Sequence, residues 1–128
     1  MITFDRFCEI AEEEAQLLPE YVYDNLEGGV LVDPTAYLHP KRVEDDLYIL
    51  GTYSRSITGR TIVLYFGSFV ATLGSASEES YREQIRATLR HEFRHHLETQ
   101  AGLYFSGTLI EEDRESMVRY FARHAKQQ

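Results

Sequence analysis

One stretch of the sequence brings together side chains that can bind a metal ion and move a proton. The segment RHEFRHHLE holds three of the chain's five histidines, and His91 and His95 are four residues apart with Glu92 after the first. Residues i and i+4 lie on one face of a helix, so both imidazoles can reach one ion. Zinc binds imidazole nitrogens at about 2.0–2.1 Å. The spacing therefore predicts a zinc site with His91 and His95 as ligands.

Glu92 supplies a carboxylate beside the same predicted site. A carboxylate next to the first ligand is poorly placed to be a third ligand, but it can take a proton from a water molecule that the metal activates. The HExxH pattern therefore predicts hydrolysis, with the metal as Lewis acid and Glu92 as general base. The alternative is a polar, histidine-rich helix that matches the pattern by chance.

A hydrolytic zinc site also needs a third protein ligand, with one position left open for the reaction. In metzincins this ligand follows closely in the pattern HExxHxxGxxH. Here Glu98 occupies the glycine position and Ala101 the last ligand position. The third ligand is therefore expected further along the chain, as in gluzincins, where an acidic residue of a following helix completes the site.

The last predicted helix contains several carboxylates, and its periodicity selects among them. One apolar face, at steps of three and four, consists of Ile110, Asp113, Met117, Phe121 and His124. We expect this face to pack on the HExxH helix, where a buried carboxylate needs a partner and a metal is the strongest one. Asp113 is therefore the predicted third ligand, followed by Glu112 on a more polar face. The alternative for Asp113 is a first-turn carboxylate that the helix dipole stabilises.

Other polar side chains are expected to have smaller roles. On a helix His96 points about 100° away from His95, so we expect it beside the site or packed against the last helix. His39 and His124 are lone histidines, for which a surface or core position is expected. The acidic run Glu12–Glu14 of the first helix is interpreted as a solvated face.

Four arginines recur at steps of four along the HExxH helix: Arg82, Arg86, Arg90 and Arg94. Glu78 and Glu98 bracket them at pairing distance, which favours a solvated face of ion pairs. A tyrosine hydroxyl that stabilises an oxyanion is also expected near a hydrolytic site. The sequence leaves four candidates open for it: Tyr37, Tyr65, Tyr104 and Tyr120.

Hydrophobic periodicity predicts the strands and helix that precede the motif. Thr3 is expected to cap a first helix that ends near Pro19. Strands are predicted at 28–33, 47–54 and 61–66. The last of these, TIVLYF, is almost continuously apolar, which favours burial on both faces.

The remaining segments are predicted as connections and helices. A loop over 33–46 and a connection with a short helical turn over 67–80 are expected between the stronger elements. The HExxH helix is predicted to open with a capping box at Ser75 and to run to about Ala101. A second capping box opens the last helix at Thr108.

Composition limits the class of protein. The 128 residues suggest one domain spanning 1–128, and 43% hydrophobic content is enough to build a core. The net charge of −8 argues against a nucleic-acid partner, which would need a basic surface. The start of the chain does not resemble a secretory signal, and no apolar run approaches the roughly 18 residues that span a bilayer. With Cys8 as its one cysteine, the protein is expected to be cytoplasmic and not bound to a membrane.

Four segments of the chain resemble a known family. LLPEYVYDNLEGGVLVD is similar to the end of its opening helix and its first strand. ILGTY and TIVLYFGSF resemble its glycine-tyrosine segment and its next strand. EQIRATLRHEFRHHLE resembles its active helix, including the doubled histidine. On these segments the chain resembles the small bacterial zincin-like metallopeptidases, a minimal zincin family long catalogued as a domain of unknown function.

The resemblance implies a fold and a set of site residues. The fold is an α+β, zincin-like one: a small mixed sheet of about three to four strands packed on an N-terminal helix and a long HExxH helix, with a C-terminal helix. His91 and His95 are implied as zinc ligands and Glu92 as the catalytic base. Many members carry HExxHxxGxxD with the aspartate as third ligand. This chain departs from that pattern, so Glu112 or Asp113 would take the role.

We therefore predict a zinc-dependent metallopeptidase that cleaves a peptide or protein substrate. Strand 61–66 would lie beside the HExxH helix, and an extended peptide would pair with an exposed strand edge. The first alternative is a zinc-binding module without peptidase activity that binds or regulates a partner, because so short a chain has little second lobe to form a cleft. The second is a purely structural helix without metal. The oligomeric state is open.

Overall fold

The computed structural model describes residues 1–102 and 108–127, and within the last helix it describes the side chains of residues 113 and 116–124. The elements in chain order are α1 (Phe4–Gln16), a 3₁₀ turn (Glu20–Tyr23), β1 (Gly29–Asp33), β2 (Tyr37–Leu38), β3 (Tyr48–Ile49), β4 (Gly51–Ser56), β5 (Gly59–Tyr65), α2 (Phe66–Leu73), α3 (Glu78–Gln100) and α4 (Thr108–Gln127). The architecture is α+β, as the sequence predicts. None of the helices within this part of the chain combines the length and the apolarity needed to cross a membrane.

The larger sheet has three strands in the order β1–β5–β4. β5 is the central strand, parallel to β1 and antiparallel to β4, so the sheet is mixed as predicted. Ile62 and Leu64 of β5 are fully buried, whereas Thr61, Val63 and Tyr65 are half-buried. The expectation that this strand is buried on both faces is therefore wrong. The helices cover one face of the sheet, and the alternating side chains of β5 differ in burial accordingly.

The hydrophobic core lies between that face of the sheet and the helices. Most of its buried members come from α1, β5, α2 and α3, and Val22 and Leu26 come from the segment before β1; the members include Phe7, Ile10, Ile62, Leu64, Phe69, Ile85, Leu89 and Phe93. The rings of Phe7 and Phe69 meet edge to face, with centroids 4.9 Å apart. α1 and α3 thus share a core with the sheet, and this core fixes the position of the HExxH helix.

A separate two-stranded ribbon is formed by one strand from the predicted loop and one from the second predicted strand. Tyr37 and Leu38 of β2 pair with Ile49 and Tyr48 of β3. The strand predicted at 47–54 is therefore divided into β3 and β4, which belong to different sheets. Leu50 lies at the division, and its carbonyl accepts a hydrogen bond from the Tyr65 amide at 2.8 Å.

α2 is longer than the predicted short helical turn. Its eight residues follow directly after β5, and the helix ends at Leu73. The next residue, Gly74, has a φ of +56°, in the left-handed region that favours glycine. The Ser68 side chain of α2 is buried and accepts a hydrogen bond from the Tyr37 amide at 2.8 Å. This contact fixes the start of the ribbon against α2.

The helix caps agree with the predicted boundaries to within a few residues. Thr3 caps α1, since its Oγ1 accepts a hydrogen bond from the Arg6 amide at 3.1 Å. α3 is capped by Ser77, which accepts from the Ser80 amide at 3.1 Å, and not by Ser75 as the capping-box pattern suggested. At its other end Gly102 adopts a φ of +77°, as expected for the residue after a helix.

The buried face of α4 differs from the predicted one by one residue. Tyr120 is 3% exposed and Phe121 is 40% exposed, so Phe121 does not belong to the covered face as predicted. In the second half of α4, Tyr120 and His124 contact the β2–β3 loop, where both reach Asp46. The expectation that this whole face packs on the HExxH helix is therefore wrong.

Candidate metal centre

The helical spacing of α3 places the two predicted histidine ligands side by side. The ring centroids of His91 and His95 are 5.1 Å apart, and the ring planes are nearly perpendicular at 83°. Both side chains are partly exposed, which leaves their nitrogens accessible from the surface of the molecule. The local geometry is therefore the one that the i, i+4 spacing predicts.

Asp113 of α4 reaches both histidines. Its Oδ1 lies 3.1 Å from Nε2 of His91, and its Oδ2 lies 3.0 Å from Nε2 of His95. One ligand atom from each of the three residues can be chosen so that all lie within 4.8 Å of one another. The structure thus brings the three predicted ligands together, although Asp113 is 18 residues beyond His95. The side chain of the other candidate, Glu112, lies outside the described residues.

The donor set of this cluster fits a zinc ion. The distances of 3.1 and 3.0 Å join the two imidazole nitrogens to different oxygens of the Asp113 carboxylate, which therefore lies between the two rings. Two imidazole nitrogens and a carboxylate oxygen are also a donor set typical of catalytic zinc, which uses three protein ligands and leaves one position open.

Glu92 lies beside the cluster and is 7% exposed. Burial raises the pKa of its carboxyl to about 7, and the negative charge of Asp113 adds to the rise. The ionised carboxylate is therefore disfavoured in this environment, and the side chain has an increased tendency to take up a proton.

A glycine in β4 allows this close approach of α3 to the sheet. A Cβ atom on Gly51 would be 2.7 Å from Cγ2 of Thr88, 3.3 Å from the carbonyl oxygen of Val63 and 3.4 Å from Cγ of Glu92. Ordinary side-chain contacts are longer than the first of these distances, so a larger residue would force the strand and helix apart. Gly51 therefore helps to determine how close Glu92 lies to the start of β4.

An open cleft of about 620 Å³ lies over the cluster. Its lining includes residues from the ribbon, β4, α3 and α4: His39, Tyr48, Ile49, Leu50, Gly51, Gln84, Ala87, Thr88, His91, Glu92, Asp113, Ser116 and Met117. His39 and Tyr48 were not predicted to lie at the site. Their side chains come from the β2–β3 ribbon, which the sequence pattern did not reveal.

His96 lies in the core and not against the last helix. It is fully buried, and its Nε2 donates a hydrogen bond to the carbonyl oxygen of Asp24 at 2.7 Å. A carbonyl only accepts, so in the neutral ring Nδ1 is the acceptor and the Tyr53 hydroxyl donates to it at 2.8 Å. His96 thus joins α3 to β4 and to the segment before β1, directly after the predicted ligand His95.

Two arginines of α3 pair with α1 and not with the predicted partners on their own helix. Arg82 and Arg86 both reach the carboxylate of Glu14, at 3.0 and 2.6 Å. Glu14 is 4% exposed, so the interpretation of the acidic run as a solvated face is wrong for this residue. The predicted pairing of Arg94 with Glu98 is present on α3, at 3.6 Å.

The candidate tyrosines have different surroundings. The rings of Tyr37 and Tyr65 meet edge to face at 5.1 Å, and the Tyr65 hydroxyl is 3.4 Å from Oγ1 of Thr52. The Tyr120 hydroxyl is hydrogen-bonded within the β2–β3 loop. Tyr104 lies outside the described residues. Tyr48, which lines the cleft, is an additional tyrosine near the cluster.

Comparison with known proteins finds a related solved structure. No known protein family and no curated protein matches the chain. A solved structure, a conserved hypothetical protein from Thermo thermophilus, is 33% identical, with a TM-score of 0.67 over 78% of this chain and 98% of that chain. The chain belongs to the family of that protein. The description of the relative names no activity, so the function has to be argued from the cleft and its residues.

Proposed function

We propose that the protein is a zinc-dependent metallopeptidase. The observation that carries the proposal is the convergence of His91, His95 and Asp113 next to the buried Glu92, at an open cleft that His91, Glu92 and Asp113 line. Nitrogen and oxygen donors in this set are typical of catalytic zinc, and the carboxylate that follows the first histidine has the position of a general base in HExxH hydrolases.

Each residue has a distinct role in the proposed reaction. His91, His95 and Asp113 would hold the ion, and zinc, when bound, supplies Lewis acidity toward the substrate carbonyl and lowers the pKa of water. Glu92 takes a proton from the attacking water at its carboxylate and delivers that proton to the nitrogen of the leaving amine. Because Glu92 is buried, bulk water has little access to this proton transfer.

β4 provides a surface for an extended peptide. The sequence suggested that strand 61–66 lies beside the HExxH helix and that a peptide pairs with an exposed strand edge. Strand 61–66 corresponds to β5, which is the central strand of the sheet, whereas β4 is an edge strand. β4 starts at the cleft with Gly51. A peptide that pairs with β4 would run along the cleft and bring a carbonyl group toward the histidines.

A conservative substitution tests the proposal. Glu92→Gln keeps the size of the side chain and removes its basicity, so cleavage of a mixture of fluorogenic peptides should fall by about 10³-fold while zinc content is retained. Glu83→Gln is the matched control, because Glu83 is an exposed residue of the same helix. Its rate and zinc content should both equal those of the natural chain.

The same measurements separate the alternatives. If the natural chain binds one zinc ion but cleaves no peptide faster than Glu92→Gln, the protein is a zinc-binding module and the peptidase proposal is wrong. If purified protein holds less than about 0.1 zinc per chain and takes up none on incubation, the metal site itself is wrong. A cytoplasmic location is part of the proposal, because the chain has a single cysteine, Cys8, which is free.

A further inference from the structure

The last helix is held at two places along one face. Near its start, Asp113 contacts the two histidines of α3. Two turns later Tyr120 and His124 contact the loop between β2 and β3. Since a helix rises about 1.5 Å per residue, Asp113 and Tyr120 are about 10 Å apart along the axis. The second contact therefore acts on the same rigid element that carries the predicted third ligand.

The second contact is a closed set of hydrogen bonds. The Tyr120 hydroxyl accepts from the Val43 amide at 2.9 Å and donates to Oδ1 of Asp46 at 2.9 Å. The other oxygen of Asp46 is 2.9 Å from Nε2 of His124. Tyr120 and His124 are both buried, and their rings are 4.5 Å apart. Both hydrogen-bonding roles of the buried hydroxyl are thus used, which fixes the ring in direction as well as in position.

The loop that receives these contacts also forms a wall of the cleft. His39 begins the segment between β2 and β3, and Tyr48 starts β3 directly after it; both side chains line the cleft. The amide of His39 donates to the carbonyl oxygen of Leu47 at 2.8 Å, which closes the loop at its base. Asp46 therefore links α4 to the loop that joins the two strands of the ribbon.

We infer that Tyr120, Asp46 and His124 form a clasp that positions Asp113 for metal binding. The inference depends on the proposed zinc site and extends it to residues that do not touch the ion. Loss of the clasp removes a restraint on rotation of α4 about its axis, and a turn of a few tens of degrees moves the Asp113 carboxylate away from Nε2 of the two histidines. Tyr120 is thus a positioning residue, and its effect on metal affinity is transmitted through Asp113.

The removal of a single oxygen atom tests this inference. Tyr120→Phe removes the hydroxyl and keeps the ring contacts. The metal-free protein is titrated with Zn²⁺ in competition with a chromophoric chelator, at constant pH. The dissociation constant should rise by about tenfold or more, the usual cost of losing a residue that orients a ligand. Amide hydrogen exchange at Val43 should become faster, since its acceptor is lost.

Tyr81→Phe is the matched control. The Tyr81 hydroxyl is also buried and donates one hydrogen bond, to the carbonyl oxygen of Gly74 at 2.6 Å, at the opposite end of α3 from the histidines. Its loss should lower the melting temperature without changing the dissociation constant of zinc by more than about twofold. An equal weakening in both variants would show that loss of stability explains the effect and would overturn the inference.

The outcomes distinguish this inference from the proposed function. If the natural chain binds zinc, His91→Ala does not, and folded Tyr120→Phe binds with the natural affinity, the zinc site is right and the clasp inference is wrong. If the natural chain and His91→Ala bind zinc equally weakly, both are wrong. Asp46→Asn is the second variant if Tyr120→Phe does not fold. Its amide oxygen still accepts from Tyr120, so a rise in the dissociation constant smaller than for Asp46→Ala is expected.

Discussion

Two buried glutamates on neighbouring helices have opposite electrostatic surroundings. Glu14 of α1 and Glu92 of α3 are 4% and 7% exposed. A hydrogen bond from Arg86, followed by one from Arg82, lowers the pKa of Glu14 against the effect of burial. Burial and the charge of Asp113 raise the pKa of Glu92 to about 7. Similar burial therefore gives a stable anion in one place and a proton acceptor in the other.

The difference assigns separate tasks to the two sides of α3. The side that faces α1 contains a neutralised carboxylate, which joins two helices. The side that faces α4 contains Glu92 and His91, which line a cleft together with Asp113, and His95 beside them. Burial of a charged residue alone does not indicate a functional site. Burial beside a group of the same charge, in a cleft, indicates a candidate for a functional site.

The largest expected effect concerns the α4 side. Asp113→Ala removes the predicted third ligand, so the dissociation constant of zinc should rise by more than about 100-fold, beyond the range seen when a residue behind a ligand is lost. Competition with a chelator measures this. Glu112→Ala is the companion variant, and it should bind zinc with the natural affinity. The reverse pattern would show that the other carboxylate of the predicted pair is the ligand.

Glu14→Gln tests the α1 side, with the next largest effect. It replaces two charge-assisted hydrogen bonds with weaker ones, so the free energy of unfolding in urea should fall by about 1–2 kcal/mol. The dissociation constant of zinc for the folded protein should not change, because Glu14 contacts Arg82 and Arg86 and faces away from the cluster. If zinc binding weakened together with stability, the two sides of α3 would not have separate roles.

Gly51→Ala tests the close approach between β4 and α3. The new Cβ would be 2.7 Å from Cγ2 of Thr88, and overpacking of this kind should lower the free energy of unfolding by about 1 kcal/mol. Thr88→Ser removes that methyl group and keeps the hydroxyl that accepts from Gln84. The double variant should therefore recover most of the loss. Additive losses in the double variant would locate the strain elsewhere, for example at the Val63 carbonyl.

The smallest effect is a difference in acid stability. The pKa of Glu14 is lower in the folded protein than its ordinary value of 4.5. Its contribution to stability is therefore complete above about pH 4.5 and is lost as the pH falls through the lower, folded value. Urea unfolding at pH 7 and in acid should show a smaller pH dependence for Glu14→Gln than for the natural chain. Equal pH dependence would mean that Glu14 is not held as an anion.

Local geometry made part of the candidate site predictable. The spacing of His91, Glu92 and His95 determines their common face once the segment is helical, because helix geometry is the same in every protein. The end of α3 near Ala101 and the cap at Thr3 also follow from interactions within a few residues. The apolar periodicity of the last helix singled out Asp113, which the structure places between the histidines.

Contacts between distant segments were harder to predict. Glu14 is 68 and 72 residues from its arginine partners, and nothing in the acidic run distinguishes the one glutamate that is buried. Tyr120 and Phe121 are similar in hydrophobicity. Tyr120 is buried because its hydroxyl finds partners in the β2–β3 loop, 74 and 77 residues away.

The residue pattern was enough to predict α1, α3 and α4, the spacing of the histidines and the chemical types available for a metal site. The packing of distant segments selects the carboxylate that contacts the histidines and the glutamate that is neutralised, and it brings the ribbon residues His39 and Tyr48 to the cleft. The two sets differ in the distance along the chain over which the interactions act. Backbone hydrogen bonds and capping act over three or four residues, whereas burial and charge pairing depend on which surfaces the whole chain brings together.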